Sequence, residues 1–466
     1  SFFRESFFRL CNQRKEYRDH PVYGKNVKSQ PGSDLMKGKG FWYPLDNAAK
    51  IFPAVINDEF TSVFRFSVVL KHKVHIKSLF AAVRSIESRF PYYKVFLKKG
   101  FFWYYLESAR FLTPVVVDSK LPCRRFDKEG PLLRVLAGDN RISVEFSHML
   151  ADGGGAQEYF KTLLAQYFLF RGIEVPPSFK YKKPSGQPDP EEFEDAYNRF
   201  FKENIPVNTK RPKAFHLPFP LNRKPRLGII TASVPVAALK EKAKEKNVNL
   251  TIYLAAVYFY AIQQIFEDPG LPRRKKKTGK ISVQIPMNTR NLYHSKTMRN
   301  FSLFVMPEID RRLGHYTFDE ILKTVFHQMQ LETDVKLINK ILSRNVGSER
   351  NMIIRAIPLF IKNPVLRMNF KKMGCSQYTG VLSNLGGIVF PPPMAEHIES
   401  MMVIPPPPNK LTKVSCGIIG YNDQITITFG NITCSRELEK HFFRFLTGEN
   451  IPVSIIYNRN CHDEYL

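Results

Sequence analysis

Several common signatures are missing from this 466-residue chain, and each absence removes a class of function. Cysteine occurs six times with no CxxC pair, so neither a disulfide framework nor a cysteine-based zinc site is expected. That usage fits a reducing, cytoplasmic setting, and no secretory-signal pattern is visible. Zinc-finger spacing, a Walker A loop and the aromatic–basic pattern of an RNA module are all absent, which argues against nucleic acid as a partner and against a bound metal. One apolar stretch, Val248 to Phe266, approaches bilayer length. Asn249, Gln263 and Gln264 interrupt it, and Asn249 and Thr251 are helix-capping types at its start, so a buried core helix is expected there. Acidic residues are scarce: 42 Asp and Glu face 70 Lys and Arg, a net charge of +28. Such a surplus favours an anionic partner: an acidic membrane surface, an acidic carrier protein or a phosphorylated cofactor.

What is present is a large apolar content. The chain is 43% hydrophobic and holds 39 phenylalanines, enough for a sizeable core and for an apolar channel besides. Residues 1–40 form a basic, aromatic extension. Phe3, Phe7, Phe8 and Leu10 lie at helical spacing with Arg4 and Arg9 between them, which suits either a short helix packed on the body or a peripheral membrane contact. A first unit is expected over 41–175. It has strands at Phe60–Leu70, Tyr92–Leu97, Phe101–Leu106 and Ile142–Ser147, and helices at Ile76–Phe90 and Ala156–Phe170. A proline- and lysine-rich linker follows over 176–225, with a short acidic helix at Glu191–Lys202. The second unit, 226–466, carries strands at Gly228–Val234, Ile281–Pro286, Phe301–Pro307, Thr379–Leu385, Lys413–Tyr421 and Gln424–Gly430. Its helices are expected at Val236–Lys246, Leu250–Phe266, Phe318–Leu342 and Arg436–Thr447. Two proline runs, Pro391–Pro393 and Pro405–Pro408, bracket an expected loop.

One segment carries the elements of a reaction centre. Ser147-His148-Met149-Leu150-Ala151-Asp152-Gly153 follows a strand and precedes a helix, a position where a rigid scaffold exposes a side chain. Asp152 can fold back under the strand end to pair with a cation or shape the loop. Gly153, Gly154 and Gly155 tolerate unusual dihedrals and allow close approach. By chance, one of 11 histidines would have Asp at +4 and Gly at +5 about 4% of the time. The strand–loop–helix context is therefore what raises the pattern above coincidence.

The segment resembles the HxxxDG motif of the chloramphenicol acetyltransferase-like superfamily, which holds coenzyme A-dependent acyltransferases and condensation domains. The resemblance extends over most of the chain. Phe41-Trp42-Tyr43-Pro44-Leu45-Asp46-Asn47-Ala48-Ala49 is similar to the opening of the alcohol acetyltransferase branch. Ile285-Pro286-Met287-Asn288-Thr289-Arg290 followed by Asn300-Phe301 is similar to the strand and loop that cross between halves. Ser383-Asn384-Leu385-Gly386 resembles a strand end near the site. Ser147 stands where condensation domains and wax-ester synthases usually have a second histidine, and the DFGWG motif of plant acyltransferases is absent. Both departures favour the alcohol acetyltransferase branch.

The resemblance implies an α/β fold of two similar subdomains, each a mixed sheet with flanking helices, enclosing a tunnel. It implies transfer of an acyl group, acetyl foremost, from acyl-CoA as co-substrate to an alcohol or amine, with His148 as general base and Asp152 as a structural group that Arg290 could pair with. Gly153 completes the motif. Asn300, Ser383 or Asn384 would supply hydrogen bonds to the oxyanion, or else cap turns. No permanently bound cofactor is implied. The run Arg273-Arg274-Lys275-Lys276-Lys277 could hold the phosphates of coenzyme A or of a carrier's phosphopantetheine, or be a solvated loop. An acyl or peptidyl carrier protein as donor, and a non-catalytic member of the fold, are the competing readings.

Overall fold

The structure, a computed structural model, describes residues 40–119, 121–206, 211–272 and 278–459. The N-terminal extension up to residue 39 and the basic run 273–277 lie outside them. In the first part of the chain the strands are β1 (Trp42–Pro44), β2 (Val63–Leu70), β3 (Val95–Lys99), β4 (Tyr104–Ser108), β5 (Val115–Val117), β6 (Leu133–Ala137) and β7 (Arg141–Ser147). Later strands are β8 (Gly228–Pro235), β9 (Lys280–Asn288), β10 (Ser302–Val305), β11 (Glu308–Asp310), β12 (Gly380–Ile388), β13 (Ile398–Ile404), β14 (Val414–Tyr421), β15 (Gln424–Asn431) and β16 (Ser454–Arg459).

One five-stranded sheet runs β13–β2–β7–β6–β5. Its strands obey the period of two. Phe64, Phe66 and Val68 of β2 and Ile142, Val144 and Phe146 of β7 are buried in one core together with residues of helices α1 (Ile76–Ile86) and α2 (Gly153–Leu169). The alternate positions are polar yet equally buried, and they are paired. Ser67 Oγ and Ser143 Oγ share a hydrogen bond of 2.8 Å, and Arg65 bridges Glu145 and Asp118 at 2.7 Å each. A second sheet runs β10–β9–β12–β14–β15–β8–β16, with β11 also on β9. Over it pack α3 (Val236–Glu245), α4 (Leu250–Glu267), α5 (Phe318–Glu332) and, after α6 (Val335–Arg350) and α7 (Leu359–Asn369), helix α8 (Glu437–Gly448). The expected apolar helix is α4. Leu254 to Phe259 have no appreciable exposure, and among the described residues no single helix is long and apolar enough to cross a membrane. A small sheet, β1–β4–β3, completes the architecture. The mixed α/β fold expected from the sequence is the one observed.

Several local expectations differ from what forms. The long helix expected at Phe318–Leu342 is two helices. Thr317 and Glu320 make a capping box at the first, but Asp334 accepts the Lys336 N–H (2.9 Å) and starts a second that reaches Arg350. The acidic helix expected at Glu191–Lys202 is only two short turns, Pro190–Phe193 and Ala196–Arg199. Glu192 is buried instead, bidentate to Arg89 (2.6 and 2.7 Å) and bound by Tyr92 and Lys182, which pins the linker to the first core. The hairpin strands β3 and β4 sit about three residues later than the alternation suggests. The expected loop between the proline runs is a strand. β13 pairs antiparallel with β2, so a late segment of sequence joins the sheet that bears His148.

Candidate functional site

The backbone turns after β7 at Ser147 and enters α2 with Asp152 as its N-cap. The His148 N–H donates to the Ser62 carbonyl (2.9 Å), which ties the turn to the start of β2. The imidazole lies against Phe64 (ring centroids 4.5 Å apart) and stacks on Phe52 (5.7 Å). It is half-buried, and its open side faces a cavity. Desolvation by these rings pushes its pKa below the ordinary 6.5; the Asp152 charge and contacts with Asn300 and the Ala151 backbone oppose but do not reverse the shift. The ring is thus neutral at pH 7.

Among the described residues, Asp152 directs its hydrogen bonds away from that ring. Oδ1 accepts from the Gly154 and Gly155 N–H groups (3.1 and 3.2 Å) and from Arg290 Nη2 (2.8 Å), while Oδ2 accepts from Arg290 Nη1 (2.9 Å) and the Phe301 N–H (2.8 Å). Burial alone would raise its pKa, but the Arg290 charge and these donors outweigh it and hold the carboxyl below its usual range. Arg290 is equally committed. Nε donates to Thr297 O (2.7 Å), Nη1 also reaches Asn288 Oδ1 (3.2 Å), and Nη2 also reaches Arg299 O. Five N–H donors meet five acceptors. The pair therefore locks the two parts of the chain together, and it leaves no free charge for a ligand.

The glycines serve a different purpose from the one their flexibility suggests. None of Gly153–Gly155 has positive φ; they are the first turn of α2. What they supply is clearance. A Cβ on Gly155 would stand 2.0 Å from the Met298 carbonyl oxygen, and one on Gly153 2.6 Å from Leu385 Cδ2. The crossing loop before Asn300 presses directly on this turn.

The three expected oxyanion donors separate. Asn300 Nδ2 donates to the His148 carbonyl (2.9 Å) and to Asp46 Oδ2 (3.0 Å), so both its protons support the turn. Asn384 Nδ2 donates to Thr251 Oγ1 (3.0 Å), and its Oδ1 accepts the Gly386 N–H (3.0 Å), which makes it a turn-former at a positive-φ glycine. Ser383 lines the cavity, and its hydroxyl makes no hydrogen bond among the described residues, while its backbone lies in the β12–β14 ladder. Ser62, which the sequence did not single out, lines it too. Its Oγ is buried with no partner among the described residues, on a backbone at φ 54°. Asp46 was likewise missed as an individual residue, although it lies in the Phe41–Ala49 segment. It is fully buried against Asn300, and desolvation raises its pKa to about 6 against the pull of Arg299.

The cavity has a volume of about 310 Å³. His148, Ser62 and Phe64 come to it from one sheet, Val381, Ser383 and Leu385 from β12 of the other, and Pro405–Pro408 continue β13 along its wall. The second proline run is thus a stiff side of the site. Arg273, Arg274, Lys275, Lys276 and Lys277 lie outside the described residues.

A sequence search of the curated proteins gave no match. The profile of the alcohol acetyltransferase family matches residues 220–306, a span that includes Arg290 and Asn300 but begins well after His148. Among solved structures, the chain is similar to polyketide synthase associated protein 5 from Mycobacterium tuberculosis (TM-score 0.58, 13% identity, 87% of this chain and 96% of that one). It is also similar to TRI101 of F. sporotrichioides, solved with coenzyme A and T-2 (TM-score 0.57, 11% identity, 90% and 100%). A third is the trichothecene 15-O-acetyltransferase TRI3 of Fusarium sporotrichioides (TM-score 0.56, 7% identity, 89% and 95%). At these identities the likeness is one of fold. The chain accordingly has the two-subdomain chloramphenicol acetyltransferase-like fold of acyltransferases and condensation domains, and within it a segment that matches the alcohol acetyltransferase family.

Proposed function

We propose that the chain transfers an acyl group, acetyl foremost, from a coenzyme A thioester to the hydroxyl of an alcohol, with His148 as general base. The observation that carries this reading is a neutral, half-buried imidazole opening onto a cavity enclosed by both sheets. The neutral ring accepts the proton of the hydroxyl as its oxygen bonds to the thioester carbonyl carbon. The C–S bond then breaks, and the imidazolium returns the proton to the departing sulfur, giving ester and free thiol. The Ser62 and Ser383 hydroxyls line the cavity from opposite sheets and are the donors we assign to the developing oxyanion, since Asn300 and Asn384 are spent on turns. Asp152 and Arg290 hold the site together and carry no proton. The acceptor is a neutral molecule with apolar bulk: Phe52, Phe60, Phe64, Leu385, Val403 and the prolines line the cavity, and its one ion pair is saturated.

Incubation of the purified protein with acetyl-CoA and a panel of uncharged alcohols tests this reading, with the ester identified by mass spectrometry. Ester from at least one alcohol is the expected result. Transfer from an acyl carrier protein but not from free acyl-CoA would select the condensation-type reading, which the +28 charge favours through an acidic carrier. Turnover of no thioester would make the chain a non-catalytic member of the fold.

A further inference from the structure

Helix α7 is oriented against the usual rule. Five of its exposed positions, 360, 361, 364, 365 and 368, fall within one arc of about 140° at 100° per residue, and the exposed Arg367 and Asn369 flank that arc. They are apolar: Phe360, Ile361, Pro364, Val365 and Met368. Phe360 is 69% exposed, and in the preceding turn Met352 and Ile353 are 75% and 77% exposed. The buried face instead holds Leu359 and Lys362, whose ammonium sits 3.4 Å from the centroid of the Trp103 ring. The tip of the β3–β4 hairpin extends the same surface. Phe101 and Phe102 are exposed there, and their carbonyls accept from the Leu359 N–H and Lys362 Nζ (3.0 Å each). A contiguous apolar face of this kind is rare on a protein that meets only water.

Charge identifies what it meets. Residues 351–374 contain five Lys and Arg and no Asp or Glu. Arg355, Arg367, Lys371 and Lys372 are exposed and enter no ion pair among the described residues. Residues 1–39 of this chain have nine Lys and Arg against four Asp and Glu, so they share the sign of this face, as a second copy would. We infer that the face formed by Met352–Met368 and the Phe101–Phe102 tip docks on an anionic lipid surface, with the apolar side chains entering the acyl boundary and the cations resting on the headgroups. The face adjoins the cavity wall. Phe370 packs on the cavity residue Phe60 (5.5 Å), and Arg367 Nε donates to Ala54 O (2.6 Å) in the short helix that presents Phe52 to His148.

Flotation of the full chain with phosphatidylcholine vesicles, with and without phosphatidylserine, tests the inference. The chain is expected to float with the anionic vesicles, and Phe360→Glu/Val365→Glu to abolish flotation while keeping the wild-type circular dichroism and melting curve. Lys371→Ala/Lys372→Ala should weaken binding roughly fivefold per cation removed. The inference is overturned if the wild type does not float, or if Phe360→Glu/Val365→Glu floats like it. Flotation lost instead in Phe7→Glu/Phe8→Glu would transfer the contact to the N-terminal segment. Self-association without flotation, abolished by Phe360→Glu/Val365→Glu, would assign the face to a second copy.

Discussion

Asp152 and Arg290 illustrate how an acid in a reaction motif can be wholly structural. Asp152 is buried and Arg290 partly buried, and each exhausts its hydrogen-bonding capacity on the other, on backbone and, for Arg290, on Asn288 Oδ1. Removing one partner strands the other charge, so Arg290→Ala is expected to cost about 3 kcal/mol or more of stability. Arg290→Ala/Asp152→Ala should cost less than the sum of the two single changes, a coupling that a denaturant-melt double-mutant cycle reads directly. Gly155→Ala should destabilise by at least about 2 kcal/mol, because its new methyl meets the Met298 carbonyl and not a movable side chain. The His148 shift also has a sign. A folded-state pKa below 6.5 means the unfolded chain takes up that proton first, so this histidine's contribution is present above the unfolded value and lost as pH falls through the folded one. The melting temperature should therefore fall less steeply on acidification below pH 6.5 in His148→Phe than in the wild type. The acid limb of any turnover should likewise lie below the ordinary imidazole value. At this scale His148, Asp152 and Gly153 were legible because they are adjacent in sequence. Ser62 and Asp46 were not, since what distinguishes them is an unpartnered hydroxyl and a buried carboxyl, both created by contacts with distant segments.

At the scale of elements, periodicity located most strands and helices of the two large sheets, including the antiparallel pair β14 and β15. It failed where tertiary contacts decide. β13 was hidden between proline runs because its partner, β2, lies more than three hundred residues earlier in the chain. Helix α7 was missed because it contains Pro364 and turns its apolar side outward, so it lacks the pattern of a core helix. The break between α5 and α6 was missed because an apolar repeat runs through it, although Asp334 is a capping residue in plain view. Two caps thus act in one apparent helix. Thr317→Ala and Asp334→Ala should each lower stability by about 1 kcal/mol in urea melts, and Asp334→Ala should do so despite raising helix propensity at that position.

At the scale of the whole molecule, the site exists only because distant parts of the chain converge on it. The His148 turn is held by Ser62 and Asn300, α2 is capped by a carboxylate fixed from β9's end, and the far wall of the cavity belongs to β12 and the residues after β13. The resemblance read from the sequence carried this architecture, whereas composition and charge carried only the breadth of possible partners. Because Ser62 and Ser383 approach the cavity from opposite sheets, Ser62→Ala and Ser383→Ala should each reduce turnover about 10²-fold or more if their hydroxyls meet the oxyanion, with KM little changed.

Free-thiol release from acetyl-CoA in the presence of an accepted alcohol, compared between the wild type and His148→Gln at equal folded fraction, tests the central claim most directly. The account predicts a loss of about 10² to 10⁴ in rate for the variant. Equal release by the two proteins would contradict it.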